Sequence, residues 1–368
     1  MNIANHLLVI YGKLLIIVYY NTELMHIAVI SSSIYPANPK QYGSEWLNSV
    51  LASYLAKLGH DVTLYAPPGS IVKYGAKLRY IPLSFTQVSI PHEARIYEMY
   101  KDELLEYDYI IDASSTCRLA ERMYFWHRDE MPFTVFFRNG FGNLDFPRPP
   151  VSRELVGVFL SKAAAKEAEK WIGTKHKLTY IYYGLPLEDY QPCYDKANYF
   201  LYFSRFHKDK GIFTAIKLAK KLGFKLICAG STLAKDHKKY YEEARRMASG
   251  CKNIIFVPNP TNEQKIELMR RAKALLVPLS PEYKEAFGLV FVEALLLGTP
   301  VITLDRPSAP EILSKEVAFI CKDMKELEKA CREVDTIDLR KCRKFAEQRY
   351  NAERMAKDYL ALFDKYAT

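Results

Sequence analysis

The chain has 368 residues, 49% of them hydrophobic, and 52 Lys and Arg against 42 Asp and Glu, a net charge of +10. That composition excludes a disordered chain, and the length suits two domains of ordinary size better than one core. Its seven cysteines are odd in number and show neither a Cys-x-x-Cys pair nor a His at metal-ligand spacing. A disulfide framework or zinc site is therefore not expected, and a reducing, cytoplasmic setting is.

The charge is unevenly placed: residues 25–188 carry 18 Lys+Arg against 17 Asp+Glu, whereas 189–368 carry 33 against 24. An anionic ligand is expected in the second half, drawn there by the field of the protein. The runs Lys208-Asp209-Lys210 and Lys238-Lys239 lack interleaved aromatics, so no nucleic-acid surface is expected.

In chain order, residues 1–24 form an N-terminal extension. Leu7 to Tyr20 is apolar apart from Gly12 and Lys13. It is short for a bilayer span of about 20 residues and has no basic flank or small-residue cleavage site. It reads as an added strand or an upstream start; an interfacial anchor, which would make the protein peripheral at a membrane, is the alternative.

From Met25 onward, strand-like runs alternate with helical patterns, which predicts parallel sheets with crossover helices. Strands are expected at 27–30, 62–65, 109–111, 134–137, 156–160 and 178–182, with a helix over 45–58. The segment Pro186 to Pro192 has two prolines and no periodicity and reads as a hinge. A second series follows at 199–203, 225–228, 254–257, 274–277, 300–303 and 317–320. Helices near 337–347 and 352–366 close the chain. The expected architecture is α/β: two doubly wound Rossmann-like domains, 25–190 and 191–345, facing across a cleft. Residues 346–368 form a closing helix that packs back toward the first domain.

Ligands in such domains bind outside the carboxyl ends of strands, so the loops after strands matter most. Neither first strand is followed by Gly-x-Gly-x-x-Gly, and no Gly-x-x-x-x-Gly-Lys-Ser/Thr loop occurs. Glu285-Ala286-Phe287-Gly288 instead leads into a run from Leu289 to Leu297 that is apolar except for Glu293. With Gly298 as C-cap and Pro300 forbidding continuation, this is a buried helix starting near Phe287. Its free N–H groups attract phosphate. Glu293 then either accepts from ligand hydroxyls or pairs with a neighbouring Lys or Arg, because a lone buried carboxylate is costly. After the strand at 199–203, Arg205 can fork two hydrogen bonds onto phosphate oxygens, and Lys210 adds a point charge just before the next helix.

Carrying both motifs, the chain from Met25 to about Phe363 resembles the retaining GT-B glycosyltransferases of family 4, the group of glycogen and sucrose-phosphate synthases. The resemblance rests on Tyr42-Gly43-Ser44, Leu58-Gly59-His60-Asp61-Val62, Tyr183-Gly184-Leu185, Arg205 with Lys210-Gly211, Glu285 through Glu293, and Gly298-Thr299-Pro300-Val301-Ile302. It implies a metal-independent hexosyltransferase of carbohydrate biosynthesis, with no cofactor beyond a nucleotide sugar as co-substrate. The enzyme would move the sugar to a hydroxyl of a glycan, a lipid-linked or a small acceptor, with retention.

On residues, the resemblance makes the first domain the acceptor domain and the second the donor domain. Arg205, Lys210 and the amides of Gly288, Leu289 and Val290 would hold the diphosphate. Glu293 would accept from the ribose, Glu285 would act on the transferred sugar, and Gly43 would let the first loop approach. The acceptor half departs from the family pattern: Tyr42 replaces a glycine, and Arg138 and Asn139 stand where a His is common. Asp112 follows a strand at that side and either binds acceptor hydroxyls or caps the next helix. Ser204 stands where Gly precedes Arg. A non-hydrolysing sugar-nucleotide epimerase and an inactive sugar-nucleotide-binding protein are the competing readings. His60 reads as a structural cap, His127 and His207 as loop residues, and Glu311 as charge at the start of its own helix.

Overall fold

The computed structural model describes residues 6–11, 14–19, 23–39, 43–82, 90–138, 155–172 and 177–367. Strands β1 (His6–Tyr11) and β2 (Leu14–Tyr19) pair antiparallel as a sheet of their own, two strands where one was expected. Gly12-Lys13 divides the apolar run.

The first domain holds a seven-stranded parallel sheet. Its strands are β3 (His26–Ile30), β4 (Asp61–Ala66), β5 (Lys77–Tyr80), β6 (Tyr109–Asp112), β7 (Phe133–Arg138), β8 (Val156–Phe159) and β9 (Lys177–Tyr180), in the order β5-β4-β3-β6-β7-β8-β9. The second has six parallel strands: β10 (Phe200–Phe203), β11 (Leu226–Gly230), β12 (Ile254–Pro258), β13 (Ala274–Val277), β14 (Val301–Leu304) and β15 (Ala318–Cys321), ordered β12-β11-β10-β13-β14-β15. Helices that cover both faces bury the central strands completely, which is why they read as continuous apolar runs. β5 escaped the sequence reading: Lys-Leu-Arg-Tyr is an edge strand and mostly exposed, with no apolar signature.

Each sheet reverses its order beside its first strand, between β3 and β6 and between β10 and β13. The crevices at those switch points are lined by the loops 31–39 and 113–117 in the first domain, and 204–211 and 278–288 in the second. Open α/β sheets bind ligands in such crevices.

The chain passes between domains twice, and the two passes touch. Leu185 N donates to Tyr350 O (2.8 Å) and Ala352 N to Leu185 O (3.0 Å). A Cβ on Gly184 would lie 2.3 Å from Asn351 O, so only glycine allows this approach. Helix α1 (Ser44–Lys57) in the first domain packs against the last helix, Ala352–Tyr366, whose Tyr359 O accepts from the Tyr109 hydroxyl (3.2 Å). The expected hinge is tethered: Glu188 accepts from the hydroxyls of Tyr54 (3.0 Å) and Tyr74 (2.8 Å). All seven cysteines are free thiols. Among the described residues no helix is long and apolar enough to cross a membrane.

Candidate active site

The buried helix runs over Leu289–Leu296, two residues later than expected, with Gly288 as its N-cap in the left-handed region (φ 79°). A Cβ there would lie 2.4 Å from the Phe291 ring, so the position is glycine's on both counts. Gly298, also left-handed, ends the helix in a Schellman motif: Thr299 N donates to Ala294 O (2.8 Å) and Gly298 N to Leu295 O (3.0 Å). The amides of Leu289 and Val290, at the first turn, have no recorded acceptor among the described residues.

Glu293 is 5% exposed. Its Oε1 takes Lys265 Nζ at 2.6 Å and the Tyr190 hydroxyl at 2.9 Å. Burial, then the Glu293 charge, push the Tyr190 hydroxyl well above its ordinary value, so it stays protonated and donates. Of the two readings for this carboxylate, the lysine-paired one is therefore present in the fold. Both recorded bonds fall on Oε1, none on Oε2. Neither Lys265 nor Tyr190 was singled out from the sequence, because a lysine on a polar helix and a tyrosine after a hinge carry no local signal.

Glu285 sits at the mouth of the second-domain crevice, and Lys210 Nζ lies 2.8 Å from its Oε2, both side chains about one-eighth exposed (12% and 15%). Lys210 also stands over the Tyr283 ring, 3.8 Å from its centroid. The two loops meet along their backbones. Ser280 N donates to Asp209 O (2.9 Å), and a Cβ on Gly211 (φ 81°) would fall 1.9 Å from Pro278 O. Arg306 braces the second loop, donating from Nε to Ser280 O (2.6 Å) and from Nη2 to Leu279 O (2.9 Å).

Arg205 is exposed, and no partner for its guanidinium is recorded among the described residues. Behind it, burial and then the charges of Arg205 and His207 hold the His237 imidazole below its ordinary value. His207 itself caps the turn 208–210, accepting from Asp209 N (3.3 Å).

In the first-domain crevice, Gly43 caps helix α1 at φ 155°, and Ser32 Oγ and Ser115 Oγ, 2.8 Å apart, tie the two loops together. Asp112 is fully buried. Its Oδ1 accepts from Ser114 N (3.1 Å) and its Oδ2 from Ala120 N (2.8 Å) in the first turn of the helix Arg118–His127. Of its two expected roles, capping is the one these bonds show for Asp112. Arg138 is the last residue of β7; Asn139 and Tyr42 lie outside the described residues. His60 is 6% exposed and accepts from Met25 N (3.4 Å), and His127 Nε2 meets the Tyr97 hydroxyl (3.0 Å), so both serve the fold. Glu311 is not confined to its own helix: it accepts from Lys162 N (2.6 Å) and Ala163 N (3.0 Å), the first amides of an N-domain helix, and from the Tyr182 hydroxyl (2.9 Å).

Residues 189–352 match the family model of glycosyl transferases group 1. The matched span lies in the second domain, and it takes in Arg205, Lys210, Glu285 and Glu293. Over nearly the whole chain the fold is GT-B. Sucrose-phosphate synthase from Thermosynechococcus elongatus superposes with a TM-score of 0.76 at 17% identity, covering 93% of this chain and 98% of that one. HepE of Anabaena, solved with UDP and glucose, gives 0.71 at 15% identity, covering 92% and 99%. A glycosyltransferase involved in avilamycin A biosynthesis gives 0.68 at 17% identity, covering 93% and 98%. An uncharacterized 41.2 kDa protein in the cps region of Klebsiella pneumoniae is 24% identical over 176 residues. That match spans less than half of either chain, 45% of this one and 46% of the relative.

Proposed function

We propose that this protein transfers a sugar from a nucleoside diphosphate sugar to a hydroxyl acceptor with retention of anomeric configuration, as a family 4 enzyme working without a metal. The observation that carries the reading is the convergence at one switch point of Lys210, Glu285 and the open amides of Leu289 and Val290, with Arg205 on the same crevice. Lys210, Arg205 and the amides supply the positive charge that a leaving diphosphate needs. Glu293, paired with Lys265, accepts from the ribose hydroxyls, and Glu285 stabilises positive charge developing at the anomeric carbon. Gly43 lets the first loop approach the donor from across the cleft. The acceptor, a glycan, a lipid-linked sugar or a small polyol, enters from the first domain. Front-face attack, with the departing phosphate taking the acceptor proton, fits a site in which Glu285 at the crevice mouth is bonded to a lysine.

UDP-glucose, the donor solved with HepE, is the first donor to test. Titration with UDP and a transfer assay, each with and without EDTA, read binding and reaction separately. Glu293→Gln is expected to weaken UDP binding, and Glu285→Gln to lower turnover while leaving UDP affinity close to that of the unaltered protein. Unchanged turnover in both variants sinks the assignment, and epimerised donor in the absence of acceptor would move the function to the epimerase class.

A further inference from the structure

The turn that carries Glu285 is gripped from outside its own domain on both flanks. On one side, Lys284 Nζ lies 2.9 Å from Glu167 Oε1 in the N-domain helix α4 (Lys162–Ile172). On the other, the Phe287 ring meets the Tyr183 ring edge-on at 5.5 Å and lies 6.3 Å from that of Tyr182. The same helix is held once more at its start, where Glu311 of the second domain takes the amides of Lys162 and Ala163. Two of the amides that every helix leaves unpaired at its N-terminus are thus satisfied by a carboxylate from the other domain, where the helix dipole also favours it. The Tyr182 hydroxyl, held protonated by burial and then by Glu311, adds a third bond to that carboxylate. None of these contacts can persist if the domains rotate apart.

We propose that Glu311 and the start of α4 form an interdomain latch that positions Glu285 for sugar transfer, with the Lys284–Glu167 pair as its second point. The positioning half rests on the transfer reading given above; the latch itself rests on geometry alone. Glu311, Glu167 and Lys284 are positioning residues: they act on the Glu285 turn through the domain contact.

Two readouts separate the halves. Small-angle scattering of Glu311→Ala, without substrate, is expected to show a larger radius of gyration than the unaltered chain, with circular dichroism unchanged. In the transfer assay the same variant should lose about 10- to 100-fold in kcat, the scale of a displaced catalytic group, with UDP affinity within about twofold. Lys284 is exposed and Glu167, which also meets Lys170 Nζ (2.7 Å), is partly buried at the edge of the contact, so a charge swap perturbs the contact rather than the core. Lys284→Glu and Glu167→Lys should each lower kcat, and the double variant should recover most of the loss, since residues in direct contact are non-additive. Unchanged scattering and kcat in Glu311→Ala, or a double swap no better than its singles, overturns the proposal. A chain that opens on Glu311→Ala but transfers no sugar in any form would keep the latch and overturn the transferase function.

Discussion

Lys265 Nζ lies 2.6 Å from Glu293 Oε1, and each side chain exposes 7% of its surface. A buried ion pair is seldom kept for stability alone, since well-packed apolar residues often do as well, but removing one partner strands the other. Lys265→Met is therefore expected to cost about 3–5 kcal/mol of unfolding free energy, and Lys265→Met with Glu293→Leu considerably less. Urea denaturation of the two variants checks this. UDP titration of the double variant should meanwhile show weakened binding, which separates the role of Glu293 in the donor site from its role in the core.

Arg205 presents its guanidinium to the crevice with no recorded partner among the described residues, so its substitution should touch ligand more than fold. Arg205→Ala is expected to lower UDP affinity by about 10- to 100-fold, the worth of charge-assisted hydrogen bonds, with little change in melting temperature. Raising the ionic strength should narrow the gap between variant and parent, because an exposed charge is screened. Calorimetric titration at two salt concentrations reads both.

His60 gives a pH dependence with a definite sign. Burial holds its imidazole below the ordinary 6.5 in the folded state. Below that value the unfolded chain binds the proton first, so the stabilisation present above pH 6.5 is lost as the pH falls toward the folded value. His60→Gln should flatten this acid limb of the stability curve relative to the parent, as measured by denaturation midpoints between pH 7 and 5.

Two left-handed glycines provide a matched pair. Gly211 has φ 81°, and its missing Cβ would collide with Pro278 O; Gly223 has φ 73° and nothing within 4 Å. Gly223→Ala should cost only the conformational penalty, about 1–2 kcal/mol. Gly211→Ala should cost more and also weaken UDP binding, because the two donor loops must separate. Equal losses at both positions would show that the loops do not need their close approach.

Much of this architecture was legible beforehand because parallel strands buried on both faces leave long apolar runs, and because Gly288, Gly298 and Pro300 mark the ends of one helix. Edge strand β5 was not legible, since its Lys77 and Arg79 face water. At the candidate site, Arg205 and Lys210 were singled out as charges following a strand end, and Glu285 and Glu293 as carboxylates set before and within an apolar helix. What stayed hidden are pairings made only in three dimensions: Lys265 and Tyr190 on Glu293, Arg306 on the 279–280 backbone, and Glu311 on the amides of a helix some 150 positions earlier in the chain. Asp112 shows the converse, a residue with a chemical look whose oxygens are spent on backbone amides.

The contact of the last helix with Ser44–Lys57 bears on how the polypeptide matures. Residues 352–366 leave the ribosome after every strand of both Rossmann sheets, yet they form the outer wall of the domain made first. The C-terminal Rossmann unit has its six strands in hand by residue 321 and is free to consolidate early, whereas its N-terminal neighbour must wait, one flank bare, until residues 352–366 emerge. Removing residues 352–366 would then damage the first Rossmann unit before the second.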